Sequence, residues 1–209
     1  DGSDGNGGAD VDNRNDRTKD DTAAGKNDLP ITTAVTWLTR QGKFKKYPVL
    51  IPGGKIFYVN QDFQEYPGIY LPDIKTGKSQ CLLKKSGINS LYYSEPEKVL
   101  YFSAADYFKA FYHYSDIYRL DLKTRRVKQL TKGERLFYPV RAPSGDDKIY
   151  CVKRVKAQSY LAVLDLKTRR SKVISDGFDS LAYTAVSPDN RYIAASVKRK
   201  NQEWAIALF

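Results

Sequence analysis

The sequence predicts an all-β fold: a β-propeller of four-stranded antiparallel blades, with about three full blades and a partial fourth, preceded by a disordered segment. One pattern recurs four times, with turn prolines 44, 47 and 45 residues apart; they are Pro52, Pro96, Pro143 and Pro188. Three copies carry an Asp-x-Lys-Thr turn, opened by Asp73, Asp121 and Asp165. Short runs rich in Tyr, Val, Ile and Phe at this period are typical of stacked β units.

Residues 1–30 are predicted to be a disordered acidic linker rich in Gly, Asn and Asp. They hold eight Asp against four Lys and Arg, and almost no large apolar residue. Such a segment buries too little surface to offset the entropy of ordering it. The carboxylates between Asp4 and Asp16 are spaced like calcium ligands, but the segment has no Glu for the last ligand position. We therefore expect no metal there.

Residues 31–209 are predicted to be the propeller. The predicted parts are an outer strand at 31–39 and blades at about 40–83, 88–131, 136–174 and 181–209. In the third blade the strands fall near 138–142, 148–152, 160–164 and 171–174. Asp can bond its own turn backbone, and Gly77 can take the left-handed position that closes such a turn. Arg125 and Arg169 replace that glycine, so their turns are expected to be strained or of another type.

The two ends of the repeat array do not match, because the first outer strand has no blade of its own and the last blade has only three strands. The chain is either a piece of a larger ring, or its first strand completes the last blade, with Trp37 beside residues 203–208. Propellers have about 4 to 8 blades, so both alternatives fit the repeat count.

Most aromatic residues at strand positions are expected to fill the spaces between blades, since a lone blade cannot bury both faces of its sheet. This group comprises Tyr58, Tyr70, Phe102, Tyr118, Tyr150 and Tyr192. Cys81 and Cys151 fall in non-neighbouring blades, too far apart for a disulfide. We expect two free, mostly buried thiols.

Motifs for catalysis are missing from the sequence. There is one histidine, His113, and no Gly-x-Ser-x-Gly, His-Glu-x-x-His or phosphate-binding glycine loop. We expect no catalytic residue, no cofactor and no metal. A small-ligand site in the central channel would need polar residues from inner strands, and only Ser90, Arg141 and Thr184 are suitably placed.

The stretch between the second and third strands of blade two is the strongest candidate for a binding site. It is predicted as a loop over 104–114 that opens on the same face as the connections between blades. The candidate partner-binding residues are Tyr107, Phe108, Phe111, Tyr112, His113, Arg135, Arg154 and Arg199. Aromatic and Arg side chains dominate binding hot spots. The alternative is a short helical turn that buries Tyr107, Phe108 and Phe111.

The net charge of +11 suggests an anionic partner. Basic residues are predicted on both faces of the propeller, which favours a protein or peptide over nucleic acid. No apolar run reaches membrane-spanning length.

Several segments resemble the TolB-like propeller repeat. They are Ser187-Pro188-Asp189-Asn190, Asp121-Leu122-Lys123-Thr124, Leu130-Thr131 and Leu38-Thr39. WD repeats also carry turns like Ser-Pro-Asp-Gly, but the Gly-His and Trp-Asp pairs typical of WD repeats are absent from this sequence. The resemblance implies a non-enzymatic protein- or peptide-binding module of a bacterial cell-envelope protein, periplasmic or at the cell surface and possibly lipid-anchored. The alternative is the gating propeller of a larger serine peptidase of the prolyl oligopeptidase type. Because TolB-like rings generally have more than four blades, the resemblance also favours the expectation that the chain is a piece of a larger ring.

Overall fold

The structure is a computed structural model that describes residues 38–39, 44–61 and 66–209. The predicted linker at 1–30 and the proposed pairing of Trp37 lie outside these residues. Of the predicted outer strand at 31–39, only residues 38 and 39 are described, and neither belongs to a strand. In the described part of the chain, no helix is both long and apolar enough to cross a membrane.

Strands in the described residues form four antiparallel sheets, each ordered along the chain. Blade 1 contains β1 (Lys45–Ile51), β2 (Lys55–Asn60), β3 (Gly68–Pro72) and β4 (Ser79–Lys84). Blade 2 contains β5 (Ile88–Ser94), β6 (Val99–Phe108), β7 (Tyr112–Asp121) and β8 (Val127–Gln129). Blade 3 contains β9 (Leu136–Arg141), β10 (Lys148–Val155), β11 (Gln158–Asp165) and β12 (Ser171–Val173). Blade 4 contains β13 (Ser180–Val186), β14 (Ile193–Lys198) and β15 (Ala205–Leu208).

Among the described residues, three apolar clusters join the blades that follow one another in the chain. Blades 1 and 2 share Phe57, Ile69 and Phe102 in one cluster, and blades 2 and 3 meet at a second one around Tyr101 and Ile149. Blades 3 and 4 meet around residues such as Val152 and Leu181. Burying one such side chain contributes roughly 1.5–3 kcal/mol. The predicted all-β propeller with three four-stranded blades and a partial fourth is therefore confirmed.

The Asp side chains bond their turns as the sequence predicts, and the two arginine turns prove to be strained copies of the Gly77 turn, not turns of another type. Asp121 Oδ1 accepts hydrogen bonds from the backbone N–H groups of Lys123 (3.0 Å) and Thr124 (2.8 Å). Gly77 has a φ of 68°, and Arg125 and Arg169 have φ of 59° and 58° in the equivalent position. All three turns thus have the same left-handed closure, which costs an arginine roughly 1–2 kcal/mol more than a glycine.

Most of the strand aromatics lie between blades, but not all of them. Phe102 and Tyr118 are buried and stack with ring centroids 5.2 Å apart. Tyr192 is 42% exposed, so its assignment to the core was wrong. It lies at the β13–β14 turn, beyond the paired part of the blade. Both thiols are free: Cys81 is half-buried and Cys151 is fully buried. Burial raises the pKa of the Cys151 thiol to about 12, which leaves it unreactive.

Candidate binding face

Blade 2 carries a long β-hairpin where the sequence predicts a loop. Strands β6 and β7 are ten residues each and pair without a break from Val99↔Asp121 to Phe108↔Tyr112. A short turn joins them, with Lys109 and Ala110 at φ of 51° and 61°. The loop predicted over 104–114 is therefore wrong, and so is the helical alternative. Aromatic residues facing one another across an antiparallel pair stabilise a sheet, so this stretch extends the blade instead.

The tip of this hairpin exposes large aromatic side chains. Tyr107 is 73% exposed, Phe111 87% and Tyr112 53%. Tyr107 packs against His113 across the strand pair, with ring centroids 5.4 Å apart. Phe108 is half-buried and stacks on Tyr114, which also stacks on Tyr112. The hairpin therefore carries an aromatic ladder of Phe108, Tyr114 and Tyr112 on one face and the Tyr107–His113 pair on the other.

Arg135 joins the aromatic ladder from the connection between blades 2 and 3. Its guanidinium lies 4.0 Å from the centre of the Tyr114 ring and donates a hydrogen bond to the Tyr114 hydroxyl. The preceding loop is held by buried Asp116, which accepts hydrogen bonds from Thr131 Oγ1 (2.8 Å) and from the backbone N–H of Gly133 (2.7 Å). These bonds hold in place the loop that leads into Arg135.

The base of the hairpin is tied to the connection between blades 1 and 2. Lys85 Nζ lies 3.0 Å from Asp106 Oδ2 and 4.6 Å from the centre of the Tyr118 ring. The Tyr118 hydroxyl donates a hydrogen bond to the same carboxylate at 3.2 Å. The hydrogen bond from Lys85 is the main reason that the pKa of Asp106 is lowered. The ionised Asp106 carboxylate thus ties the base of the hairpin to Lys85 and Tyr118.

The other two candidate arginines lie on blades 3 and 4. The Arg154 guanidinium is 4.4 Å from the centre of the Phe137 ring, and its backbone N–H donates to the Arg135 carbonyl at 3.1 Å. Arg199 lies 5.0 Å from the centre of the Phe178 ring. The structure therefore brings Arg135 to the Tyr114 ring and places Arg154 beside it on β10. Arg199 lies apart from both, against Phe178.

A second feature, missed by the sequence analysis, lies on the inner strands. Tyr47, Tyr138 and Tyr183 line one cavity of about 210 Å³ together with Ser90 and Thr184. The sequence signal was present, because each tyrosine stands five residues before a turn proline of the repeat.

Of the three polar residues considered for the channel, Arg141 does not line this cavity. It is buried and forms an ion pair with Glu97 of blade 2. Within the described residues, no group of three or more His, Cys, Asp or Glu is arranged to hold a metal ion.

Fold and surface together define the protein as a β-propeller with an exposed aromatic and cationic face. Its structure is similar to that of TolB from Acinetobacter baumannii, with a TM-score of 0.66 and 23% identity over 82% of this chain and 42% of that one. It is also similar to an oligogalacturonate lyase in complex with manganese, with a TM-score of 0.62 and 12% identity over 82% and 49% of the two chains. The TolB-like architecture read from the repeats is thereby supported at the level of structure.

A third similar structure is a puromycin-hydrolyzing peptidase of Mycobacterium tuberculosis, with a TM-score of 0.57 and 14% identity over 80% of this chain and 29% of that one. The chain spans less than half the length of each of these three proteins. No model of a protein family matches the sequence, and no curated protein matches it. At these identities the shared property is the propeller fold.

Proposed function

We propose that this propeller is a non-enzymatic module that binds a protein or peptide through the face carrying the β6–β7 hairpin. The supporting observation is the exposure of Tyr107, Phe111 and Tyr112 on a hairpin that is itself well paired to its tip. Rigid aromatic residues give a large contact area at low entropic cost, which is why they dominate binding hot spots. A surface patch of this kind is typical of an interaction site.

The charges around the hairpin favour an acidic segment as the partner. Among the described residues, Arg135 and Arg154 contact aromatic rings but form no ion pair with a carboxylate. Both guanidinium groups therefore keep N–H donors that can bond a carboxylate of a partner. Lys85 and Lys153 are already paired, with Asp106 and Glu134 respectively. The proposed partner contacts the rings with apolar side chains and the two arginines with acidic ones.

The proposed setting is the bacterial cell envelope, either the periplasm or the cell surface, with attachment through a lipid anchor as one route. This rests on the similarity to TolB of a bacterium, at 23% identity. Fractionation of cells that express the full-length protein tests it. Recovery in the cytoplasmic fraction alone would contradict the proposed setting.

The binding proposal is tested by affinity capture from bacterial envelope extracts with the whole chain as bait. Changing Tyr107, Phe111 and Tyr112 together to Ala should reduce capture of the specific partner at least tenfold, because exposed hot-spot aromatics are removed without disturbing the core. Tyr192→Ala, an exposed tyrosine at the β13–β14 turn, is the matched control and should retain capture. Equal recovery with the triple variant would remove the hairpin from the binding site.

A second candidate function is the gating propeller of a larger serine peptidase. The similarity to a puromycin-hydrolyzing peptidase favours it, and the match covers only 29% of that enzyme. The test is to label the full-length product of the gene with a fluorophosphonate probe. Labelling of a serine in a Gly-x-Ser-x-Gly motif outside residues 1–209 would support this candidate. Absence of such a motif from the complete reading frame would exclude it.

A further inference from the structure

We propose that the cavity between Tyr47, Tyr138 and Tyr183 is a binding site for one neutral sugar ring. The three tyrosines occupy equivalent positions in β1, β9 and β13, each five residues before the turn proline of its blade. They are far apart in the chain, and the inner strands of three different blades bring them to one cavity. This site is separate from the aromatic hairpin of blade 2.

The backbone at all three tyrosines is held in an unfavourable conformation. Tyr47, Tyr138 and Tyr183 have φ of 51°, 51° and 53°, in the left-handed region that bulky residues rarely adopt. Each lies at an irregularity of its inner strand, where pairing with the neighbouring strand skips two residues. Such bulges turn a side chain away from its regular direction and occur often beside functional sites.

Hydrogen bonds from the two neighbouring blades hold this conformation in blade 3. The backbone N–H of Tyr138 donates to Ser103 Oγ at 3.3 Å, and Thr184 Oγ1 donates to the Tyr138 carbonyl at 2.9 Å. Tyr138 and Tyr183 are in ring contact, with centroids 5.2 Å apart at 43°. Two blades therefore fix the relative angle of two rings on one side of the cavity.

The side chains that line the cavity carry no charge and combine apolar surfaces with hydroxyl groups. It consists of Tyr47, Tyr92, Tyr138 and Tyr183 with Ser90, Leu91, Pro139, Val140 and Thr184. In a chain of net charge +11, a cavity lined without any charged side chain is not built for an anion. Burial is the main reason that the pKa of Tyr47 is raised, with Tyr138 and Tyr183 next, so the phenol stays neutral.

The size and chemistry of the cavity fit one hydroxylated six-membered ring. Its volume of about 210 Å³ is larger than the ~150 Å³ cavity that holds benzene and smaller than pockets for drug-sized ligands, which begin near ~300 Å³. The negative face of a tyrosine ring attracts the C–H groups on the face of a sugar ring. The hydroxyls of Tyr47, Tyr138 and Tyr183 can then bond the sugar hydroxyl groups at its edge. Thr184 Oγ1 already donates to the Tyr138 carbonyl, so toward the sugar it can only accept.

The test is saturation-transfer NMR on the whole chain with methyl β-D-glucopyranoside, methyl β-D-galactopyranoside and N-acetylglucosamine as probes. At least one should receive saturation, and glucuronate should receive less than its neutral counterpart. No transfer to any neutral sugar would overturn the proposal. A stronger response from N-acetyltyrosinamide than from every sugar would also overturn it, because the site would then fit an aromatic side chain.

Tyr183→Asn separates a binding role from a structural one. Asn tolerates the left-handed conformation better than Tyr does, and Tyr183 is 65% exposed, so the variant should fold with an unchanged or higher melting temperature. Its affinity for the best sugar probe should fall at least tenfold. Tyr192→Asn, at the exposed β13–β14 turn, is the control and should keep full affinity. Unchanged affinity in Tyr183→Asn would overturn the proposal.

Discussion

The buried guanidinium of Arg141 forms an ion pair with the carboxylate of Glu97, and this pair joins blade 3 to blade 2. The Arg141 side chain is only 4% exposed and also donates hydrogen bonds to the carbonyls of Gly145 and Asp146. Glu97 in turn accepts a hydrogen bond from the Tyr101 hydroxyl at 2.8 Å. The turn of one blade is thereby fixed to the end of the next inner strand.

Removing the carboxylate should destabilise the protein. Glu97→Ala leaves Arg141 buried without its partner, and such a loss typically costs about 3 kcal/mol. Urea unfolding measures the change. The control is Glu95→Ala, since the Glu95–Lys98 pair is exposed and such pairs contribute at most about 1 kcal/mol. Similar losses in both variants would show that the Arg141 pair does not hold the blades together.

Because of the Arg141–Glu97 pair, the free energy of unfolding should fall as the pH is lowered into the acid range. Burial alone would raise the pKa of Glu97, but hydrogen bonds from Arg141 and Tyr101 outweigh it and lower the pKa below 4.5. The native state therefore holds this proton less tightly than the unfolded chain does. The contribution is present above pH 4.5 and is lost as the pH falls through the lowered native pKa. Unfolding free energies measured from pH 6 to pH 3 should fall less steeply in Glu97→Gln.

Two glycines allow the packing of the hairpin to be measured separately from backbone strain. Gly133 and Gly145 have φ of 75° and 76°, so both resist a side chain equally. A Cβ at Gly133 would lie 2.6 Å from the Phe108 ring, whereas one at Gly145 meets nothing within 4 Å. Gly133→Ala should therefore cost about 1–3 kcal/mol more than Gly145→Ala in chemical denaturation. Equal costs would mean that Phe108 moves aside freely.

Exchanging glycine and arginine at the Asp turns should change stability in opposite directions. Arg169→Gly removes a left-handed arginine and should stabilise by about 0.5–1 kcal/mol, after the greater entropy of glycine in the unfolded chain is subtracted. Gly77→Arg should destabilise by a similar amount, because no atom lies within 4 Å to add a clash. Thermal melts of the two variants check both signs. A stabilising Gly77→Arg would contradict the assigned turn geometry.

The hairpin of blade 2 shows where sequence reasoning failed at the candidate site. The aromatic residues from Tyr107 to His113 were selected as a candidate site but assigned to a loop. Their regular cross-strand pairing, such as Phe108↔Tyr112, depends on the two strands continuing in register past the end of the neighbouring hairpins. Register depends on the facing strand, which a linear pattern of aromatics does not specify.

The repeat period and its turn residues were enough to predict blades, strand order and the Asp side-chain bonds within the turns, because those features arise from contacts close in the chain. The sequence left open whether the Arg125 and Arg169 turns are strained or of another type, and only the structure shows that they share the closure of the Gly77 turn. Contacts between residues distant in the chain could be found only from the tertiary structure. Arg141 reaches Glu97, and Tyr47 shares a cavity with Tyr183, only because the blades pack around one another. Equivalent positions in a repeat can be aligned from the residues alone. Which of them meet depends on how the sheets are inclined and spaced, and this follows from long-range packing between blades.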